Sequence, residues 1–363
     1  MTSPLTRVKR PTGSVGQVGT EGGSAAKVPG LLAHRSWWWG VALVILIFLP
    51  LVITGATFTT IAVYCLMYMG IATAWNSFSG FSGYVSLGHA VFFGVGAYTM
   101  ALLSTHWNMS GGLSMFALLP LAGIVAAIIA IPYGYIALRT RRHTFVVITI
   151  AFFFIAQLLA FNLSFTGGSA GVVLPNGQFS ASDYNNPFYY ACLIVLVLTV
   201  AAVIGIRRSR FGLQLFAIRD DEDRARSLGV KVGRVKITSF MISAIPVAMM
   251  GAIWAFFIGQ IYPQFAFNAA LDVTIALMAF LGGFGTIVGP LLGALVLEAL
   301  QRYLNLYLAN ADLYLVIYGL LFLGVISFLP EGILPSIGKR LRLRRLRREE
   351  TEVTPATSGE VAP

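Results

Sequence analysis

The sequence predicts an all-α, polytopic transmembrane helical bundle of about ten membrane segments, with Gly-rich broken helices and both termini cytoplasmic. Three observations carry this. Of 363 residues, 57% are hydrophobic and 11% are charged, against about a quarter charged in a soluble domain. There is too little polar surface to cover a soluble body of this size. No Asp, Glu, Lys or Arg occurs from Ser36 to Leu138, and at ~20 residues per span that stretch holds about four spans and their turns. Finally, 24 of the 25 Lys and Arg residues fall in four clusters, the pattern that orients membrane helices with positive loops inside. A soluble enzyme, a disordered protein and a secreted disulfide scaffold are excluded. The net charge of +11 is read as topology rather than nucleic-acid binding, because a basic patch needs a soluble face to sit on.

Taken in order, residues 1–36 are basic and rich in Gly, Ser and Thr, without the apolar core of a signal peptide. They read as a disordered cytoplasmic tail that ends at the membrane surface with Trp37, Trp38 and Trp39. Residues 37–335 form a transmembrane domain with a cytoplasmic loop over 207–236, and 336–363 a second basic cytoplasmic tail. Spans are expected near 37–55, 58–77, 88–105 and 114–138, up to the cluster Arg139, Arg141 and Arg142. Two more, 144–163 and 188–206, flank an external loop carrying Asp183 and lead to the nine positive charges of 207–236. Beyond these come 237–259, the stretch 272–301, and 313–329 before the last cluster, Lys339–Arg348. With every cluster on one side, each neighbouring pair is separated by an even number of crossings. Parity therefore requires 272–301 to cross twice or to form a re-entrant pair, turning at Gly282-Gly283-Phe284-Gly285 to Gly289-Pro290.

Glycines concentrate at Ser79–Gly96 and at Gly282–Gly293. Such paired interruptions mark discontinuous helices along a transport path; close helix packing is the alternative, and both remain open on sequence. No P-loop, HExxH, GxSxG or metal-spaced Cys/His cluster occurs. No cofactor or metal is expected, and Cys65 and Cys192 read as small buried hydrophobes. Glu298 and Arg302, four apart, are expected to neutralise each other on one helix. Asp272, Asp312 and Glu331 are expected at segment ends, solvated by water or headgroups, and His89 as a neutral packed histidine. Few buried acids disfavour a stand-alone secondary transporter, and an intramembrane enzyme lacks any catalytic constellation. The acids Asp220–Asp223, followed by Arg224, Arg226 and Gly229, predict a short cytoplasmic helix near 220–228, capped by Asp220 or Asp221.

Four motifs then stand in a known order. Gly83-Tyr84-Val85-Ser86-Leu87-Gly88-His89-Ala90 through Tyr98 resembles the signature of the branched-chain amino acid permeases of ABC importers. So do the external turn Thr166-Gly167-Gly168-Ser169-Ala170-Gly171, the cytoplasmic stretch Phe211–Lys236, and Gly282 through Ala294. The TGG turn and the long C-terminal form resemble the LivM-type subunit more than the LivH-type. The resemblance implies a subunit that works with a LivH-like second permease, two P-loop ATPase subunits that bind ATP in its place, and an external substrate-binding protein, all at a bacterial inner membrane. It implies that Arg219, Asp220, Asp221, Glu222, Ala225 and Gly229 form a helix that docks on the ATPase. Together with the glycine breaks it nominates Gly83, Ser86, Gly88, His89, Gly168, Gly282, Gly283 and Gly285 for the translocation path. Where the family pattern has Ser-Ile, this chain has Ala270-Leu271 before Asp272. That bears on substrate, since related permeases carry urea, short amides or aromatic acids on the same scaffold.

Overall fold

Nearly every apolar run of the sequence is helical in the computed structural model, which describes residues 31–52, 55–175, 179–180, 183–307 and five positions between 316 and 324. The two tails, most of the 313–329 segment, Asp312, Glu331 and the Lys339–Arg348 cluster lie outside the described residues, as do the side chains of the Trp37–Trp39 run. The chain divides into a unit ending at Phe48 and a unit beginning at Leu49. Helix α1, Leu31–Val52, runs across that division and begins six residues earlier than the tryptophan run suggests.

The larger unit begins with α2, Ala56–Ser82, and α3, Ala90–His106. A 3-10 turn, Leu113–Leu118, leads into α4, Leu119–Ala137, and then comes α5, Arg142–Asn162. Next are strand β1, Val172–Val173, and α6, Asn185–Arg208. Two polar helices follow, α7, Arg210–Asp220, and α8, Glu222–Ser227. The chain continues through α9, Val232–Ile258, strand β2, Gln260–Ile261, and the short α10, Pro263–Ala266. Helices α11, Ala269–Gly282, and α12, Val288–Tyr307, complete the described fold.

Helix α2 is the axis of the bundle. Every residue from Gly70 to Ser82 is buried, and a helix covered all round must sit inside. It packs against α6, α9, α11 and α12, while α9 also packs against α3 and α4. The α3–α9 crossing is close because Gly96 faces the Ala248 carbonyl and Gly251 faces the Phe93 carbonyl; a Cβ at either would lie about 2 Å from oxygen. The outer faces are apolar: Ile124, Ile128, Val147, Leu158, Ile194 and Leu198 are each more than half exposed. A soluble protein does not present such a belt, and lipid covers it without cost.

Among the described residues, six helical stretches are long and apolar enough to cross a bilayer: Ala56–Ser82, Leu113–Ala137, Arg142–Asn162, Asn185–Arg208, Val232–Ile258 and Pro263–Gly282. Of the ten expected segments, 37–55, 88–105 and the second half of 272–301 are not among these six, and most of 313–329 lies outside the described residues. Helix α3 has 17 residues and rises only ~26 Å at 1.5 Å per residue, short of a ~30 Å hydrocarbon core. The 272–301 stretch is two helices, α11 and α12, parted at the glycine run where parity put the turn. The fold is also not purely helical. Val172 and Val173 pair antiparallel with Ile261 and Gln260, tying the chain that follows α5 to the end of α9.

Candidate functional site

The two glycine breaks meet. At the first, Gly83 adopts φ +74° and its N–H donates to the Ser79 carbonyl, 3.0 Å, ending α2. Glycine takes this left-handed conformation without the steric penalty of a Cβ. At the second, Gly283 and Gly285 have φ +133° and +78°, and Thr286 Oγ1 accepts from the Gly289 N–H, 3.0 Å, at the start of α12. Asn76 of α2 holds the two breaks together. Its Nδ2 donates to the Thr286 carbonyl, 2.7 Å, and its Oδ1 accepts from the Gly285 N–H, 2.8 Å. Both halves of the amide are used across some 210 positions of sequence.

Below the breaks lies the polar segment α7–α8. Asp221 caps α8, accepting from the N–H groups of Asp223 and Arg224 at 3.0 Å. The Arg224 N–H in particular holds the Asp221 carboxyl below the usual aspartate range. Gly229, φ +86°, ends the turn, its N–H donating to the Arg226 carbonyl. The predicted helix near 220–228 is therefore present; Asp221 rather than Asp220 is its cap, and α7 precedes it unannounced. Ala225 is buried, Asp220 is exposed, and both line a shallow groove of about 300 Å³ with Ala217, Asp221, Arg224 and Leu228. Leu228 is 83% exposed, a large apolar side chain left uncovered among the described residues.

Glu222 turns inward. The Tyr84 hydroxyl donates to its Oε2, and Lys236 Nζ donates to its Oε1 at 3.1 Å and to the Tyr84 oxygen at 3.1 Å. Arg226 adds a fourth contact, 3.2 Å. Burial raises the Glu222 carboxyl, but the Tyr84 hydroxyl and the Lys236 ammonium outweigh it, and the net shift is downward. Lys236 is 2% exposed, so this residue of the third positive cluster is an internal ion-pair partner rather than a solvated topology signal. Arg219 also turns inward, donating from Nη1 to the Gly80 carbonyl, 2.8 Å.

The remaining candidates separate. Ser86 and His89 are fully buried: His89 Nδ1 lies 2.9 Å from Ser86 Oγ and Nε2 lies 3.0 Å from Ser243 Oγ. Gly88 abuts the Tyr133 hydroxyl. Gly282 abuts the Gly289 backbone, letting α11 and α12 close on each other. Gly168 is apart from all of these, in the turn beyond the far end of α5. The expectation that Asp272 is solvated at a segment end is overturned. Asp272 is 1% exposed, and its Oδ1 accepts from the Ala90 N–H, 2.9 Å, capping α3 across 182 residues of sequence. A carboxylate suits the positive end of a helix, which is why it is tolerated there. Glu298 and Arg302 do pair, 2.7 Å, with the guanidinium over the Tyr64 ring. Among the described residues no group of three or more His, Cys, Asp or Glu is placed to hold a metal ion. Sequence reasoning missed Asn76, Tyr84, Arg142 and Lys236, whose partners lie far away in the chain; the polar Asn76 inside an apolar run was the one local signal.

Comparison with known proteins identifies the family. Residues 53–326 match the family described as branched-chain amino acid transport system, permease component. The chain is 29% identical over 311 residues to the high-affinity branched-chain amino acid transport permease LivM of Salmonella typhimurium, covering 78% of this chain and 71% of that one. It is 28% identical to Escherichia coli LivM, covering 83% and 75%. Against Escherichia coli LivH it is 30% identical over 290 residues, covering 75% and 93%. No solved structure matches the chain significantly.

Proposed function

The chain belongs to the branched-chain amino acid transport permease family, and from that premise we propose that it is one of the two permease subunits of an ATP-driven importer, forming part of the path for leucine, isoleucine or valine. The observation that carries this is α7–α8. A capped, charged helix with an exposed Leu228 beside a shallow groove sits directly beneath the junction of the two glycine breaks. A segment with its inner face anchored and its outer face uncovered is what a docking helix for a second protein requires. The chain carries no P-loop, so the energy comes from separate ATPase chains whose differential affinity for two permease conformations biases transport. An external binding protein delivers the substrate at the end carrying Gly168 and Asp183, and a LivH-like subunit completes the pathway. Our topology has about ten segments, with the 17-residue α3 counted as a short one, and both termini cytoplasmic in a bacterial inner membrane; Gly83, Ser86, Gly88, His89, Gly282, Gly283 and Gly285 are our candidates for the path on this subunit.

The test is gentle purification from the native membrane. A P-loop ATPase and a second permease are expected beside the chain, and uptake of branched-chain amino acids into vesicles should require internal ATP. A chain that purifies alone and drives uptake without ATP refutes the importer and leaves a secondary transporter.

A further inference from the structure

Arg219 occupies a slot that Gly83 and Gly285 leave open, against the carbonyl of Gly80. Its Nη1 donates to the Gly80 carbonyl at 2.8 Å. That carbonyl belongs to the last turn of α2, where no backbone N–H of the helix remains to satisfy it. The guanidinium carbon lies 5.3 Å from the Phe284 ring centroid, within range of a cation–π contact. A Cβ on Gly285 would stand 2.2 Å from Nη1, and one on Gly83 would stand 3.2 Å from Cγ. Gly80 is hemmed in as well, with Asn76 Oδ1 and the Gly285 nitrogen where its Cβ would go. The side chain therefore runs from α7 into the contact between the two breaks and touches both.

Arg142 supports it from the other side. Its Nη2 donates to the carbonyls of Ile218, 3.1 Å, and Arg219, 2.5 Å. These are end carbonyls of α7, and a cation placed there satisfies both the orphan acceptors and the helix dipole. The start of α5, the end of α7, the end of α2 and the α11–α12 turn are thus linked through two guanidinium groups and the Asn76 amide.

We infer that Arg219 is a positioning residue facing inward, which makes the docking segment and both glycine breaks move as one piece. This rests on the importer reading above, and it reassigns Arg219 from the surface that touches the ATPase to the linkage behind that surface. A displacement of α7–α8 reaches the α11–α12 turn through Arg219 without passing along α9.

The experiment uses the whole transporter. Arg219→Gln should still co-purify with the ATPase subunits, while maximal uptake falls about tenfold, in the range of coupling losses along such linkages. The substrate concentration for half-maximal uptake should stay unchanged. Arg219→Lys, which can still donate to the Gly80 carbonyl, should recover part of the rate. Gly285→Ala then supplies a readout that a merely structural role would not move. Its strain from positive φ is the same in every background, but its collision with Nη1 exists only with arginine. The penalty of Gly285→Ala on uptake should be about fivefold smaller in the Arg219→Lys background than in the unsubstituted chain, the size expected for residues in contact. Equal penalties in the two backgrounds, or loss of the ATPase from the Arg219→Gln chain, overturn the inference. Absence of an ATPase beside the unsubstituted chain instead sinks the importer reading itself.

Discussion

The ammonium of Lys236 shows how far a single residue departs from its local context. In sequence it closes a run of nine positive charges whose role is orientation. In the fold it is 2% exposed, between the Glu222 carboxylate and the Tyr84 ring, 4.3 Å from the centroid. Removing it leaves a carboxylate whose side chain keeps only 23% exposure with Arg226, 3.2 Å away, as its remaining cation. Breaking a fully buried pair from one side costs roughly 3–5 kcal/mol. Partial exposure of Glu222 and its bond from Tyr84 bring Lys236→Met to the low end, about 3 kcal/mol. The check is thermal unfolding in detergent, with Lys236→Met and Glu222→Gln made singly and together: the double variant should lose less than the sum, and additive losses refute the pairing. Glu222 and Arg219 are nominated through the family resemblance of their charged run, as docking residues, and not for the inward contacts they make. Tyr84, Lys236 and Asp272 could not be given their roles, since each partner lies on another element and no local pattern records it.

Element boundaries were legible where their cause is local. Gly282–Gly285 and Gly289-Pro290 announce a break, and the chain turns there. Asp221 and Gly229 bracket α8 because a carboxylate caps and glycine accepts positive φ. Helix α7 was not legible: its capping Ser209 accepts from the Gly212 N–H, but Gly212 and the basic run masked the signal. The pairing of α3 with α9 was not legible either, because it depends on which small residues face each other. That crossing can be tested. Gly96→Val places carbon where the Ala248 carbonyl stands, at 1.9 Å, and the backbones must part. Overpacking of this kind costs about 1–3 kcal/mol, occasionally more. We expect a lower unfolding temperature and reduced accumulation in the membrane, whereas Gly205→Val, with nothing within 4 Å of its Cβ position, should leave both unchanged. Equal behaviour of the two variants contradicts the crossing.

For the whole molecule, the charge pattern predicted sidedness, and the fold supplies an independent argument for one hairpin. Arg142, at the start of α5, bonds the end of α7, so these two points share a membrane face. Helix α5 then rises 21 residues, ~30 Å, to the loop 163–184, and α6 returns to α7. The loop and α7–α8 therefore stand at opposite ends of a bilayer-length hairpin. If positive clusters stay inside, Ser169 and Asp183 face outward and Arg224, whose side chain is 85% exposed, faces the cytoplasm. The native cysteines, Cys65 and Cys192, are both buried and can be replaced by serine to clear the background. In intact cells an impermeant thiol reagent should modify Ser169→Cys and Asp183→Cys and spare Arg224→Cys. After permeabilisation it should modify all three. Labelling of Arg224→Cys alone in intact cells inverts the orientation and places the docking segment outside, where no ATPase could reach it. Labelling on both sides in intact cells would deny the hairpin its span. The first result would refute the importer mechanism while leaving the fold standing; the second would refute the fold as a membrane structure.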